Sequence, residues 1–189
     1  ALGGLSLLLA LFKIREVASF QTAKPTVVDE VLNALIVGDE AKARTTAKSV
    51  PGVCSQMLLV GIERVNERRE IIEELLFQKI LEVRPNLERF LAFLALSAAA
   101  APLMGLLGTV IGMIKTFQLI TIYGTGDPKG LASGISEALV TTEFGLIVAI
   151  PILVVHGLLS RMARQKIGQL EQVAISFVNG IHGIQNKDS

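Results

Sequence analysis

Hydroxyl and small side chains recur at helical spacing inside an apolar stretch of the sequence. In chain order they are Pro102, Gly105, Thr109, Gly112 and Thr116. Steps of three and four residues place all five on one face of a helix. A glycine four residues before Gly112 completes a GxxxG pair, which permits close approach of another helix but alone is weak evidence of function. Ordinary helix packing in lipid would use the same residues.

A second apolar stretch carries a similar face. Its members are Thr142, Gly145, Ala149 and His156. Two helices joined by a short loop are antiparallel neighbours, and two such faces would together form a smooth wall with a few hydroxyl groups. Such a wall can hold water, pass ions without binding them tightly, or accept a partner helix that turns or slides. The spacing alone does not choose between these uses.

Two carboxylates, Glu137 and Glu143, lie in the first half of the second stretch. Carboxylates at membrane depth are costly, and they usually face the interior of a bundle or a wet cavity. We expect this of Glu137, with a position at the membrane surface as the alternative. Glu137 and Thr142 point about 140° apart on an ideal helix, so Glu137 can face a subunit interface rather than the same lumen. Glu143 receives no role.

The composition argues against a soluble enzyme domain. Of the 189 residues, 51% are apolar and a further 17 are glycine. Together these residues exceed the usual share in soluble domains, where apolar residues and glycine make up about 45–50%. The mean hydropathy is +0.56. A net charge of +1 gives no basic field for nucleic acid. Cys54 is the only cysteine, and the two histidines are 26 residues apart, so neither a disulfide nor a metal site is expected. Hydrolase, metalloprotease and phosphate-loop motifs do not occur, and we predict no enzyme activity.

The elements that carry these faces are long enough to cross a membrane. Residues 90–114 contain no charge and would form a helix of about 37 Å against a bilayer core of about 30 Å. We assign residues 90–122 and 131–160 to the second and third transmembrane helices. Residues 1–12 are too short to span, so we expect the end of a truncated first transmembrane helix, with a surface-lying amphipathic anchor as the alternative.

Basic residues predict the orientation of these helices. Seven of them lie on one side, at Lys13, Arg15, Arg84, Arg89, Arg161, Arg164 and Lys166, whereas only Lys115 and Lys129 lie near the connection between the second and third transmembrane helices. The positive-inside rule therefore places residues 13–89 and the C-terminal helix and tail, 161–189, in the cytoplasm. The loop 123–130 and the N-terminus then lie outside, in the periplasm. The prediction is a multi-pass, all-α integral membrane protein with long helices that extend into the cytoplasm.

The cytoplasmic region 13–89 is helical by pattern. Apolar residues recur at helical spacing over residues 27–36, and Gly38 then provides a stop. Pro51 and Gly52 indicate a break. A long charge-laced helical run over residues 53–83 follows, typical of a solvated face, and Pro85 permits a kink before the second transmembrane helix. No alternation typical of β-strands is present.

Two segments resemble a known family. Residues 101–112, APLMGLLGTVIG, are similar to the second-span motif of the MotA/TolQ/ExbB proton-channel family, and residues 134–151, GISEALVTTEFGLIVAIP, to its third-span motif. The resemblance covers residues 80–165 well, and residues 13–79 in helical character only. ExbB and TolQ are the members that the chain resembles most.

The resemblance implies more than the pattern does. It implies a five-subunit ring of three-span subunits in the bacterial inner membrane, around two ExbD/TolR-type single-span partners that each carry an aspartate. It also implies that ion flow moves partner against ring and drives TonB- or TolA-type proteins. Thr109 and Thr142 match the pore threonines, and Glu137 matches the family's glutamate. The driving ion, H⁺ or Na⁺, stays open. A flagellar-type stator subunit and a passive membrane scaffold for a single-span partner are the alternatives.

Overall fold

The computed structural model describes residues 2–20, 22–23, 25–124 and 128–185. Helices account for nearly all of these residues. In chain order they are α1 (Leu2–Ser19), α2 (Pro25–Ile36), α3 (Glu40–Ser49), α4 (Val53–Glu63), α5 (Arg69–Glu88), α6 (Leu91–Tyr123) and α7 (Pro128–Gln185). They form two compact units. The first comprises Ala1–Ile14 with Phe90–Leu159, and the second Arg15–Arg89 with Ser160–Ser189.

The first unit has the inside-out composition of a protein surrounded by lipid. Its α6 and α7 expose large apolar side chains, such as Leu103, Phe117 and Leu153, each at least half exposed. Their buried positions instead include Ser97 and Thr116. The helical runs Arg69–Ile122 and Ala132–Gly183 are long and apolar enough to cross a membrane. Burial of small and polar residues under an apolar exterior is expected where lipid replaces water.

Helix α1 follows the same rule. Leu8 and Leu11 are exposed on one face, while Ser6, Ala10 and Lys13 are buried on the other. Its apolar part ends at Phe12, after which charged residues begin. The assignment of residues 1–12 to a first transmembrane helix stays a prediction.

The second unit is a conventional helical core. Helices α2 to α5 pack in sequence, α2 on α3, α3 on α4 and α4 on α5. Glycine allows two close approaches to the last part of α7, since a side chain at Gly61 would overlap the ring of Phe177 and one at Gly180 would overlap Leu32. The predicted stops are confirmed. Gly38 ends the turn after α2 with a positive φ of 79°, and Gly52 precedes α4.

Three boundaries differ from the sequence-based prediction. The run 53–83 is divided into α4 and α5, because residues 64–68 form a turn that lets the apolar faces of both helices meet. Pro85 lies inside α5, and the break comes later, at Phe90, whose φ of 68° is left-handed and stops a helix. Helix α7 begins at Pro128, inside the predicted loop 123–130, since proline is favoured at a first helical position. Residues 125–127 and 186–189 lie outside the described residues.

Candidate functional site

The contact between α6 and α7 is made by glycine. A Cβ atom at Gly105 would lie 3.0 Å from the Cα of Thr142, and one at Gly112 would lie 2.8 Å from the Cβ of Ala138. Toward the other end, a Cβ at Gly145 would lie 2.8 Å from the carbonyl oxygen of Ala101. Residue numbers rise along α6 as they fall along α7, so the two helices are antiparallel, as predicted. The missing side chains let the backbones touch.

This contact involves most of the residues on the two helix faces that were predicted to accept a partner helix. Gly105, Gly112 and Gly145 lie between two helices of the same chain. Thr116 and Ala149 are buried, and Pro102 is half-buried. The structure therefore gives most of both predicted faces a packing role within one chain. Their role toward a partner helix stays a prediction.

The threonine hydroxyls of α6 and α7 fall into two groups. Those of Thr109, Thr116, Thr121 and Thr141 donate to carbonyl oxygens of their own helix, at 2.7 to 3.0 Å. Thr142 differs, because its Oγ1 is buried and has no hydrogen-bond partner. A buried hydroxyl without a partner loses its hydration without compensation. Thr142 is therefore the one threonine of these two helices whose hydroxyl makes no hydrogen bond within the chain.

The predicted ion-path residues are only partly assembled within one chain. Thr142 packs on Gly105, and Thr109 lies four residues further along α6, half-buried. Glu137 is exposed, as is Glu143. The angular separation of Glu137 from Thr142 stays a prediction. A second subunit or a partner helix would be needed to enclose the carboxylate.

A cavity of about 290 Å³ beside the α6–α7 contact was missed by sequence reasoning. Its polar groups are Ser6, Ser97 and Thr141, and its apolar wall includes Ala100, Met104, Phe144 and Val148. Ser97 is 4% exposed and its Oγ has no hydrogen-bond partner. A serine in an otherwise apolar stretch was the available signal, but its spacing from the threonine face gave no reason to single it out.

The second unit contains fewer groups that could react or bind a ligand. Cys54 is fully buried and its Sγ accepts a hydrogen bond from the backbone N–H of Ala23, at 3.2 Å. Burial raises the pKa of the Cys54 thiol, because the thiolate would lose its hydration. Such a thiol is unreactive. Within the described ranges, His, Cys, Asp and Glu form no cluster of three that could hold a metal ion.

Comparison with known proteins decides the family. Residues 49–172, which include all residues of the glycine contact between α6 and α7, match the MotA/TolQ/ExbB proton channel family. The chain belongs to this family. The resemblance inferred from the two span motifs is thereby confirmed, and the family is one of channels rather than of enzymes. Membership, together with the two long apolar helices, makes the chain a membrane protein.

The relatives include both ExbB and TolQ proteins. The biopolymer transport protein ExbB of Aquifex aeolicus is 37% identical over 117 residues, which are 61% of this chain and 78% of the relative. The biopolymer transport protein exbB1 of Vibrio cholerae is 36% identical, over 52% of this chain and 43% of the relative. The Tol-Pal system protein TolQ of Pseudomonas aeruginosa is 33% identical, over 70% and 53%. The chain thus spans about half the length of the latter two.

Proposed function

We propose that the protein is the ring-forming subunit of an ion-driven motor of the ExbB/TolQ type in the bacterial inner membrane. Five copies, each with three transmembrane helices, surround a dimer of an ExbD/TolR-like single-span partner. The N-terminus is periplasmic and the C-terminus cytoplasmic. The proton motive force, or a sodium gradient, drives the partner, which acts through a TonB- or TolA-like protein across the periplasm. Family membership and the ExbB and TolQ relatives support this proposal.

The hydroxyl of Thr142 is the observation that carries the proposal. It is buried, without a partner, and next to a helix contact made by glycine. A partner aspartate that reaches this depth would have a raised pKa in the low-dielectric interior, so it could exchange protons. The Thr142 hydroxyl can donate to that carboxylate or orient a water molecule. Thr109 and Glu137 would extend the path on either side.

Ion flux into liposomes tests this role. The full-length protein is reconstituted with its single-span partner, and Thr142→Val is compared with Thr142→Ser. Valine keeps the shape and removes the hydroxyl, so we expect flux to fall at least tenfold, whereas serine retains most of it. Thr121→Val is the matched control, because Thr121 is exposed and donates to the Phe117 carbonyl oxygen, 3.0 Å away.

Assembly is measured in the same samples. Native mass spectrometry of the gently solubilised complex gives the number of subunits and partners. A Thr142→Val complex of normal composition with lost flux supports a role in conduction. Equal flux in all three variants would instead favour a passive scaffold, and loss of the complex would make Thr142 a packing residue.

A further inference from the structure

The cavity between α1, α6 and α7 contains the second orphaned hydroxyl of the structure. Among the described residues, buried side-chain oxygens without a partner occur only at Ser97 and Thr142. Ser97 lines the cavity and is 4% exposed, so its hydroxyl cannot be satisfied by bulk solvent. Ser6, which lines the same cavity from α1, is fully buried. A polar group of this kind requires a ligand that can hydrogen bond.

The hydroxyl groups in the otherwise apolar wall of the cavity favour water as that ligand. At about 30 Å³ for each molecule, 290 Å³ gives room for several water molecules. Buried water needs two to four polar partners, and the cavity offers the hydroxyl oxygens of Ser6, Ser97 and Thr141. The Thr141 hydroxyl donates to the Glu137 carbonyl oxygen, 2.8 Å away, so its lone pairs still accept. An acyl chain in the same space would leave the Ser97 hydroxyl unsatisfied.

The two long helices that line the cavity also contain carbonyl groups without a helical donor. Proline has no N–H, so Pro102 inside α6 leaves the carbonyl of Ala98 without its helical donor. Pro151 does the same to Ile147 in α7. Both carbonyls belong to residues adjacent in sequence to a lining residue, Ser97 or Val148. Membrane helices tolerate proline where water or a neighbouring group can satisfy such a carbonyl.

We propose that this cavity holds a cluster of ordered water molecules, anchored by Ser97. Ser97 lies seven residues, or about 10 Å, from Phe90 at the start of α6. The other end of the cavity is at Thr141, next to Thr142 in the chain. The water would therefore extend from about 10 Å inside the start of α6 to Thr141, the neighbour of the orphaned threonine. If the proposed function is correct, the cluster supplies one branch of the ion path to Thr142.

Thiol accessibility tests the hydration without any measurement of flux. In the full-length protein with Cys54→Ala, Ser97→Cys and Leu96→Cys are compared for reaction with a permanently cationic methanethiosulfonate. Only a thiolate reacts, and a thiolate forms only in contact with water. Leu96 is the matched control, since it is at the same depth but 67% exposed on the lipid-facing surface. We expect Ser97→Cys to react at least 100-fold faster than Leu96→Cys.

A second cysteine position is needed, because a narrow entrance could slow the reagent even if the cavity holds water. Ala100 also lines the cavity, so Ala100→Cys should react as well, and Ala100→Phe should slow the reaction of Ser97→Cys at least tenfold. Slow reaction of both cysteines, equal to that of Leu96→Cys, would overturn the proposal and indicate that lipid or a neighbouring helix fills the cavity.

Flux measurements separate this proposal from the proposed function. Ser97→Ala should lower flux at least threefold, while Leu96→Ala should leave it unchanged. A reactive Ser97→Cys in a protein that conducts no ions would confirm the water cluster and overturn the motor function. Flux that depends on Thr142 together with an unreactive Ser97→Cys would overturn the water cluster alone. Normal flux in Ser97→Ala would remove the cavity from the ion path.

Discussion

The tightest backbone contact between α6 and α7 makes Gly145→Ala an informative perturbation. The added Cβ would lie 2.8 Å from the carbonyl oxygen of Ala101 and 3.2 Å from the Cα of Gly105. Ordinary van der Waals contact begins at 3.4 Å, so one helix must move about 0.6 Å. Both neighbouring atoms belong to the backbone and cannot turn aside. Overpacking of this kind costs about 1–3 kcal/mol.

A second glycine of α7 provides the control. A Cβ at Gly157 would meet no atom within 4 Å, and this residue is exposed. Gly157→Ala should therefore gain about 0.5–1 kcal/mol from the lower flexibility of alanine. The same gain applies to Gly145→Ala, so the difference between the two variants isolates the contact. It should be about 1–3 kcal/mol, which is a change of about 5- to 150-fold in the unfolding equilibrium constant.

Reversible unfolding in mixed micelles measures this difference. Helical circular dichroism is followed as SDS is added to protein in a mild detergent, and the free energy of unfolding is extracted from the transition. Gly145→Ala should unfold at a lower SDS fraction than the parent protein, and Gly157→Ala at an equal or higher one. If Gly145→Ala proved as stable as Gly157→Ala, backbone contact would not limit how closely α6 and α7 approach.

Three further changes test other parts of the molecule. In the second unit, Gly61→Ala places a Cβ inside the buried ring of Phe177 and should cost about 1–3 kcal/mol in the same unfolding assay, unlike Gly168→Ala, which meets open space. The pKa of the buried Cys54 thiol is raised, so the unfolded chain loses this proton at a lower pH than the folded protein does. The free energy of unfolding should therefore fall as the pH rises above about 8.5. Unfolding measured at pH 7 and at pH 10 should show this fall in the parent protein and not in Cys54→Ala. Glu137→Gln should lower ion flux several-fold but leave stability within about 0.5 kcal/mol, since the carboxylate is exposed; unchanged flux would remove Glu137 from the path.

Local pattern was sufficient for the family, the helical class and the pairing of α6 with α7. The motif residues of both spans identify the family directly. Gly38 and the pair Pro51–Gly52 mark helix ends, because glycine reaches positive φ and proline disfavours a helical conformation in the residue that precedes it. By contrast, the turn at residues 64–68 contains neither residue type. It exists because two apolar faces bury each other, which only the tertiary structure reveals.

The site was predicted less completely than the fold. Small residues on a helix face indicate a close neighbour but do not say which one. Gly105 packs against α7 and Gly145 packs against α6 within one chain. A helix face that binds a partner would show the same sequence pattern. Ser97 and Ser6 are far apart in sequence and are brought together only by the packing of α1 against the pair. The orphaned state of the Thr142 hydroxyl likewise depends on a neighbouring helix.

The short connection between α6 and α7 has a consequence for biosynthesis. Only four residues separate Tyr123 from Pro128, so the two helices can enter the bilayer together as one hairpin. Every glycine contact between them joins residues less than 50 positions apart, so little loop entropy is lost when the hairpin closes. Glu137 and Glu143 then enter as part of a paired unit and not on a lone helix in lipid. The hairpin can thus serve as the earliest folded element, on which α1 then packs.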